Sequence, residues 1–230
     1  MPGLGGEDKV MAGGTPANPA MLVSKSDAVR YLALGDSYTI GTGASSEARN
    51  YPSILAKRLA EATGAKVDLT NPAVNGFTTV DLIANELGLV DRLKPQLVSV
   101  LIGVNDLVQG RTPDQYRLSL MQIYDSVADL KLPAGRVVAI SLPDWSLVPA
   151  APTFGDPAAL RRLTDTFNSI AKREAEARGF MWVDITAVSA SAMGSPGWIS
   201  SDQLHPGDAQ YAAWAEVIWE TVREPWSSAT

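Results

Sequence analysis

The sequence contains no cysteine. Disulfides, thiolate nucleophiles and cysteine-type zinc sites are thereby removed together. The compartment stays open, because a chain without thiols persists under oxidising and reducing conditions alike. Histidine is nearly absent too: His205 is the single imidazole in 230 residues. Centres built from several histidines are excluded, metal-assisted hydrolysis loses its usual ligands, and neither metal nor cofactor is expected. Positive charge is scarce. With 19 Lys and Arg against 25 Asp and Glu, the formal net charge is -6. No basic, phosphate-neutralising face is expected, and so no nucleic-acid partner. Apolar runs long enough to span a bilayer are also missing, so no membrane span is expected.

What remains is a globular composition, with 46% hydrophobic and 19% charged residues. The first 25 residues are rich in Gly, Pro and Ala, carry no helical or strand period, and lack the apolar centre of a secretory signal. They read as a flexible leader, followed by a single domain over residues 26–230. If Met1 is the natural start, a cytoplasmic location follows.

Short β-rich runs alternate with longer amphipathic stretches. Strands are predicted at residues 30–34, 66–69, 97–102, 136–141 and 180–184, most of them continuously apolar, as central strands covered on both faces are. Helices are predicted at 51–63 (after the cap Asn50, with Pro52 near the start), 112–130, 157–178 and 208–222. Leu160, Leu163, Phe167 and Ile170 share one face of the third, and Tyr211, Trp214, Ala215, Ile218 and Val222 one face of the fourth. Such alternation implies an α/β fold with a parallel sheet between helix layers. Ligands of these sheets sit outside the carboxyl ends of the strands.

Three groups of chemically useful residues fall at such positions, and a fourth lies near the C-terminus just before the last helix. Gly35-Asp36-Ser37 follows the first strand, at a turn towards a helix where a backbone N–H points outward. Alone it is weak evidence, since any loop favours these residues. Gly76 closes Asn71-Pro-Ala-Val-Asn-Gly76 after the second strand and can present an unobstructed N–H. Asn105, in Gly103-Val104-Asn105-Asp106, can donate its amide into the same crevice or simply cap the next segment. His205 stands three residues after Asp202, close enough for the carboxylate to hold the far ring nitrogen and fix the tautomer.

In this order the four groups resemble the blocks of the SGNH (GDSL) hydrolases, over nearly the whole chain from Tyr31 to Val222. The resemblance implies a three-layer α/β/α sandwich, flavodoxin-like, with a central parallel five-stranded sheet. It also implies that Ser37 is the nucleophile and that Asp202 and His205 are its acid and base. The oxyanion hole would be formed by Ser37, Gly76 and Asn105. Two positions depart from the pattern: Tyr38 stands where many relatives have Leu, and Ala73 where glycine-block variants often carry an additional Gly. There is no Gly-x-Ser-x-Gly elbow around Ser37, which disfavours the α/β-hydrolase fold proper.

The expected partner is a small-molecule acyl ester, with short acyl groups favoured because no long insertion could form a deep lid. Carbohydrate O-acetyl esterase, thioesterase, lysophospholipase and acyltransferase activities use the same residues. A non-catalytic binding module is the alternative of a different class, but such modules lose the Ser, the His or the donors, and all stand here. The loop 142–155 places Trp145, Leu147, Val148 and Phe154 where they either line an acyl pocket or pack the loop onto the domain; Trp198 offers the same choice.

Overall fold

The computed structural model describes residues 28–229; the expected leader lies outside them. Five strands, β1 (Val29–Gly35), β2 (Val67–Thr70), β3 (Leu97–Leu101), β4 (Val137–Ile140) and β5 (Met181–Val183), form one parallel sheet in the order β2-β1-β3-β4-β5. Each lies within a residue or two of its predicted position. β1, β3 and β4 are almost wholly buried, whereas the edge strands β2 and β5 are half-buried. The continuous apolar runs therefore mark the strands covered on both faces.

The helices are α1 (Ser37–Ile40), α2 (Tyr51–Thr63), α3 (Thr79–Asn85), α4 (Gly88–Leu93), α5 (Val104–Val108), α6 (Pro113–Ala128), α7 (Pro157–Glu176), α8 (Thr186–Ala190) and α9 (Asp208–Ser227). Three of the long ones start where side chains cap them: Asn50 accepts from Ser53 N–H, Thr112 and Gln115 form a capping box, and Asp156 accepts from Ala159 N–H, whereas α9 begins after Gly207 without a side-chain cap. α7 turns its buried stripe through Leu160, Thr164, Phe167 and Ala171, which leaves the expected core residue Leu163 39% exposed at the stripe's edge. α9 runs past its expected end at Val222 and through Pro225. Its last turn buries Trp226 edge-on against Tyr31 at 4.9 Å, a gain that outweighs the hydrogen bond proline forgoes.

The strand order decides where ligands can sit. The chain leaves β1 for β2 in one direction across the sheet and then travels β2, β3, β4, β5 in the other. Crossovers of one hand put α2 on one face and α3, α6 and α7 on the other. The packing agrees: α2 lies against α9, which also packs on α8, while α6 lies between α3 and α7. The direction reverses between β1 and β3. A crevice opens at their carboxyl ends, and Ser37 and Asn105 stand on its two rims.

Candidate active site

β1 ends in a turn tight enough that Gly35 is the residue that fits. A Cβ there would lie 2.1 Å from Thr39 Oγ1 and 2.4 Å from the Leu101 carbonyl oxygen. Asp36 caps α1 and accepts from the Tyr38 N–H at 3.0 Å. Ser37 is the first residue of α1, so its N–H has no acceptor within that helix. Tyr211 of α9 ties down the far end of the turn, donating its hydroxyl to the Thr42 carbonyl at 2.8 Å.

The loop after β2 is sewn to this turn by its two asparagines. Asn71 donates to the Thr39 carbonyl at 2.8 Å, and Asn75 accepts from the Thr42 hydroxyl. Gly76 has φ +81, with open space where a side chain would stand, so its backbone is exposed at the rim. Across the crevice, Asn105 donates one amide hydrogen to the Phe77 carbonyl at 3.0 Å. An amide nitrogen carries two hydrogens, which leaves the second for another acceptor. The same contact fixes the distance between the β2 and β3 loops.

His205 and Asp202 share a loop closed at its neck by the bridge between Ile199 and Pro206 and by the Ser200 N–H donating to the His205 carbonyl at 2.9 Å. Asp202 Oδ2 lies 2.7 Å from His205 Nδ1. Its Oδ1 accepts from the Ser200 hydroxyl at 2.6 Å and from the Leu204 and His205 N–H groups, both at 2.9 Å. Partial burial by itself raises this carboxyl, but the Ser200 hydroxyl, the two N–H groups and His205 together outweigh it and hold Asp202 well below the usual carboxylate range. With Nδ1 turned to Asp202, Nε2 is the ring nitrogen left for chemistry. The imidazole stands beside the turn that carries Ser37, its centroid 6.2 Å from that of Tyr38, whose ring packs in turn on Trp214 at 5.6 Å. The Tyr at position 38 is thus a spacer between the histidine loop and α9.

The aromatic candidates separate. Trp145 and Trp198 are 2% and 6% exposed, and their indole N–H groups are taken by the Thr164 hydroxyl and the Ser189 carbonyl. Val148 is buried with them. The void that Trp145 lines is about 10 Å³, too small for an acyl group. These three serve packing, because a satisfied, enclosed indole has no face to offer a ligand. Leu147 and Phe154 are exposed, and Leu147 lines an open cleft of about 410 Å³ with Pro149, Met193, Ile199, Ser200 and Gln203, beside the Asp202–His205 loop.

Sequence reasoning missed the groups behind the site. Asp36, Glu86 and Asp106 are buried carboxyl groups, and Asn71 and Asn75 are loop fasteners. Asp36, Asn71, Asn75 and Asp106 stand inside the quoted blocks without a role assigned there, and only Glu86 lies outside them.

Fold and site together define a doubly wound α/β protein whose polar groups meet at the switch point of its sheet. The chain belongs to the GDSL-like lipase/acylhydrolase family, whose model matches residues 33–213, and with it to the carboxylic ester hydrolases. It is 28% identical to a lipase of Streptomyces rimosus over 228 aligned residues, 82% of each chain. It is 25% identical to esterase TesA of Pseudomonas aeruginosa over 206 residues, 88% of this chain and 92% of that one. Among solved structures, an acetyl xylan esterase from Geobacillus stearothermophilus superposes with a TM-score of 0.67 at 21% identity, over 86% of this chain and 95% of that one.

Proposed function

We propose that this protein hydrolyses short-chain carboxylic esters through an acyl-enzyme on Ser37. The observation that carries the reading is the doubly held Asp202. Its carboxylate locks His205 Nδ1 at 2.7 Å and leaves Nε2 as the other nitrogen of a ring that lies beside Tyr38, the neighbour of Ser37. Ser37 Oγ attacks the ester carbonyl carbon while its proton passes to His205 Nε2, and Asp202 offsets the charge of the resulting imidazolium. Collapse of the tetrahedral adduct breaks the bond to the alkoxy oxygen, which leaves with that proton as the alcohol. Water then attacks the acyl-serine with His205 again as base, releasing the acid and restoring the Ser37 hydroxyl. The oxyanion is held by the Ser37 and Gly76 N–H groups and by the second amide hydrogen of Asn105. Preorganised donors of this kind are each worth roughly 100- to 1000-fold in turnover.

The open cleft beside the histidine loop, walled by Leu147, Pro149, Met193 and Ile199, supports a small apolar group rather than a long buried chain. The test is labelling with a fluorophosphonate, with the adduct located by mass spectrometry, beside turnover of p-nitrophenyl acetate, butyrate, octanoate and palmitate. A single adduct on Ser37, loss of it in Ser37→Ala and His205→Ala, and preference for the two shorter esters are expected. Labelling that survives Ser37→Ala overturns the nucleophile, and a preference for palmitate overturns the substrate class.

A further inference from the structure

Three carboxyl groups lie buried behind the serine turn: Asp36, Glu86 and Asp106, each at most 1% exposed. Asp106 is fully occupied, accepting from the backbone and hydroxyl of Thr79 and lying 3.0 Å from Arg111 Nε. Glu86, the residue that ends α3, reaches across to β1. Its Oε2 accepts from the Gly35 N–H at 3.1 Å, two residues before Ser37. Its Oε1 is buried without a partner, and so is Asp36 Oδ2 on the adjoining residue. Two neighbouring carboxyl groups, each with a buried unpaired oxygen, are an expensive arrangement if both are ionised.

We propose that Glu86 is a positioning residue, protonated and uncharged in the working protein, that anchors the serine turn through the Gly35 N–H. This rests on the assignment of Ser37 as nucleophile. A neutral carboxyl group suits both of its oxygens: the carbonyl oxygen accepts from Gly35, and the other, which no donor reaches, carries the proton. Asp36 is the better site for the negative charge, because it caps α1 and receives the Tyr38 N–H. Burial pushes Glu86 up to about 8, against the Gly35 bond and with the neighbouring Asp36 adding to the rise. Burial likewise lifts Asp36 to about 7, with Asp106 adding to it. Tyr51 from α2 faces both Glu86 and Asp36, Tyr38 from α1, Tyr116 from α6 and Tyr211 from α9 face Asp36, and Arg111 pairs with Asp106. Ionisation of Glu86 would set two anions side by side in the core, and the strand end carrying Gly35 would shift to separate them. Ser37 shifts with it, so the chemical step suffers while substrate binding does not.

The experiment compares wild type with Glu86→Gln and Glu86→Ala. Gln keeps an acceptor for Gly35 and a donor beside Asp36, but it cannot ionise. With p-nitrophenyl acetate, and after subtraction of the uncatalysed rate, wild-type kcat is expected to fall above about pH 8 while that of Glu86→Gln does not. At about pH 7 the Gln variant should retain kcat within roughly threefold, and Glu86→Ala should lose about tenfold or more with KM changed by less than about twofold. A Gln variant that declines over the same pH range as wild type, or an Ala variant with wild-type kcat, overturns the proposal. Should Glu86→Ala fail to fold, thermal midpoints of wild type and Glu86→Gln against pH still decide. The wild-type midpoint falls more between about pH 5 and 9, and parallel curves overturn the proposal. This comparison needs no ester, so it stands apart from a failure of the Ser37 reading, which would show instead as wild type that takes no phosphonate label.

Discussion

At the scale of single residues, the histidine loop is the most local part of the site. Asp202 and His205 are three positions apart, and the carboxylate reaches both the ring and the backbone N–H of its partner. Such an arrangement needs only a turn, which is why the spacing was legible in the sequence. The same cannot be said of Trp145 or Trp198, whose surroundings come from α7 and α8. The role given to Asp202 leads to a ranking. Asp202→Ala should lower kcat by about 100- to 10,000-fold, less than Ser37→Ala or His205→Ala, because it supports the base without exchanging bonds. Steady-state kinetics on the three purified variants check this, and an Asp202 variant more damaged than Ser37→Ala would contradict it.

Elements hold the site through their ends. The start of α3 is pinned to α5 by Thr79, whose N–H and hydroxyl both meet Asp106, and the end of α3 delivers Glu86 to β1. Because Gly76 lies just before α3 and Asn105 within α5, that joint also fixes the two loops that meet at the Asn105–Phe77 contact. Thr79→Val preserves shape and the backbone bond but strips the hydroxyl from a buried carboxylate. Destabilisation by about 1–3 kcal/mol is expected, measured by denaturant unfolding, together with a lower kcat. Unchanged stability would show that Asp106 does not depend on the hydroxyl. Sequence periodicity located the long helices of the described region and missed α1, α3, α4, α5 and α8. Helices of four to seven residues carry too few turns to show an apolar stripe, and what stabilises them is contact with the rest of the fold.

For the whole molecule, the carboxyl groups divide into two sets with opposite linkage to pH. Asp36 and Glu86, raised by burial from 3.8 and 4.5 to about 7 and about 8, bind protons in the folded state that the unfolded chain has already released. Their favourable contribution is complete below the unfolded values and is lost as pH rises towards about 8. Asp202, and Asp208 with its hydrogen bonds from Ser45, are lowered instead, so their contribution is present above 3.8 and lost as pH falls through their folded values. Stability should therefore peak under mildly acidic conditions. Scanning calorimetry is expected to give a midpoint at least ~4 °C higher at about pH 5 than at about pH 8.5. A midpoint that is level or rises over that interval contradicts the linkage.

The sequence by itself determined the parallel α/β class, the five strands, and the four groups in their order. Each of these is written in a run of neighbouring residues: an apolar stretch, a cap, a turn, a three-residue spacing. Tertiary structure decided what depends on partners far along the chain. It chose the order β2-β1-β3-β4-β5, and so placed the reversal of winding between the loops of Ser37 and Asn105. It buried Trp145 and Trp198, left Leu147 open, and brought Glu86 to Gly35 across 51 positions. Burial and desolvation are properties of the assembled core. Strings of residues carry the groups, but only the fold sets which of them lose water, and with it their charge.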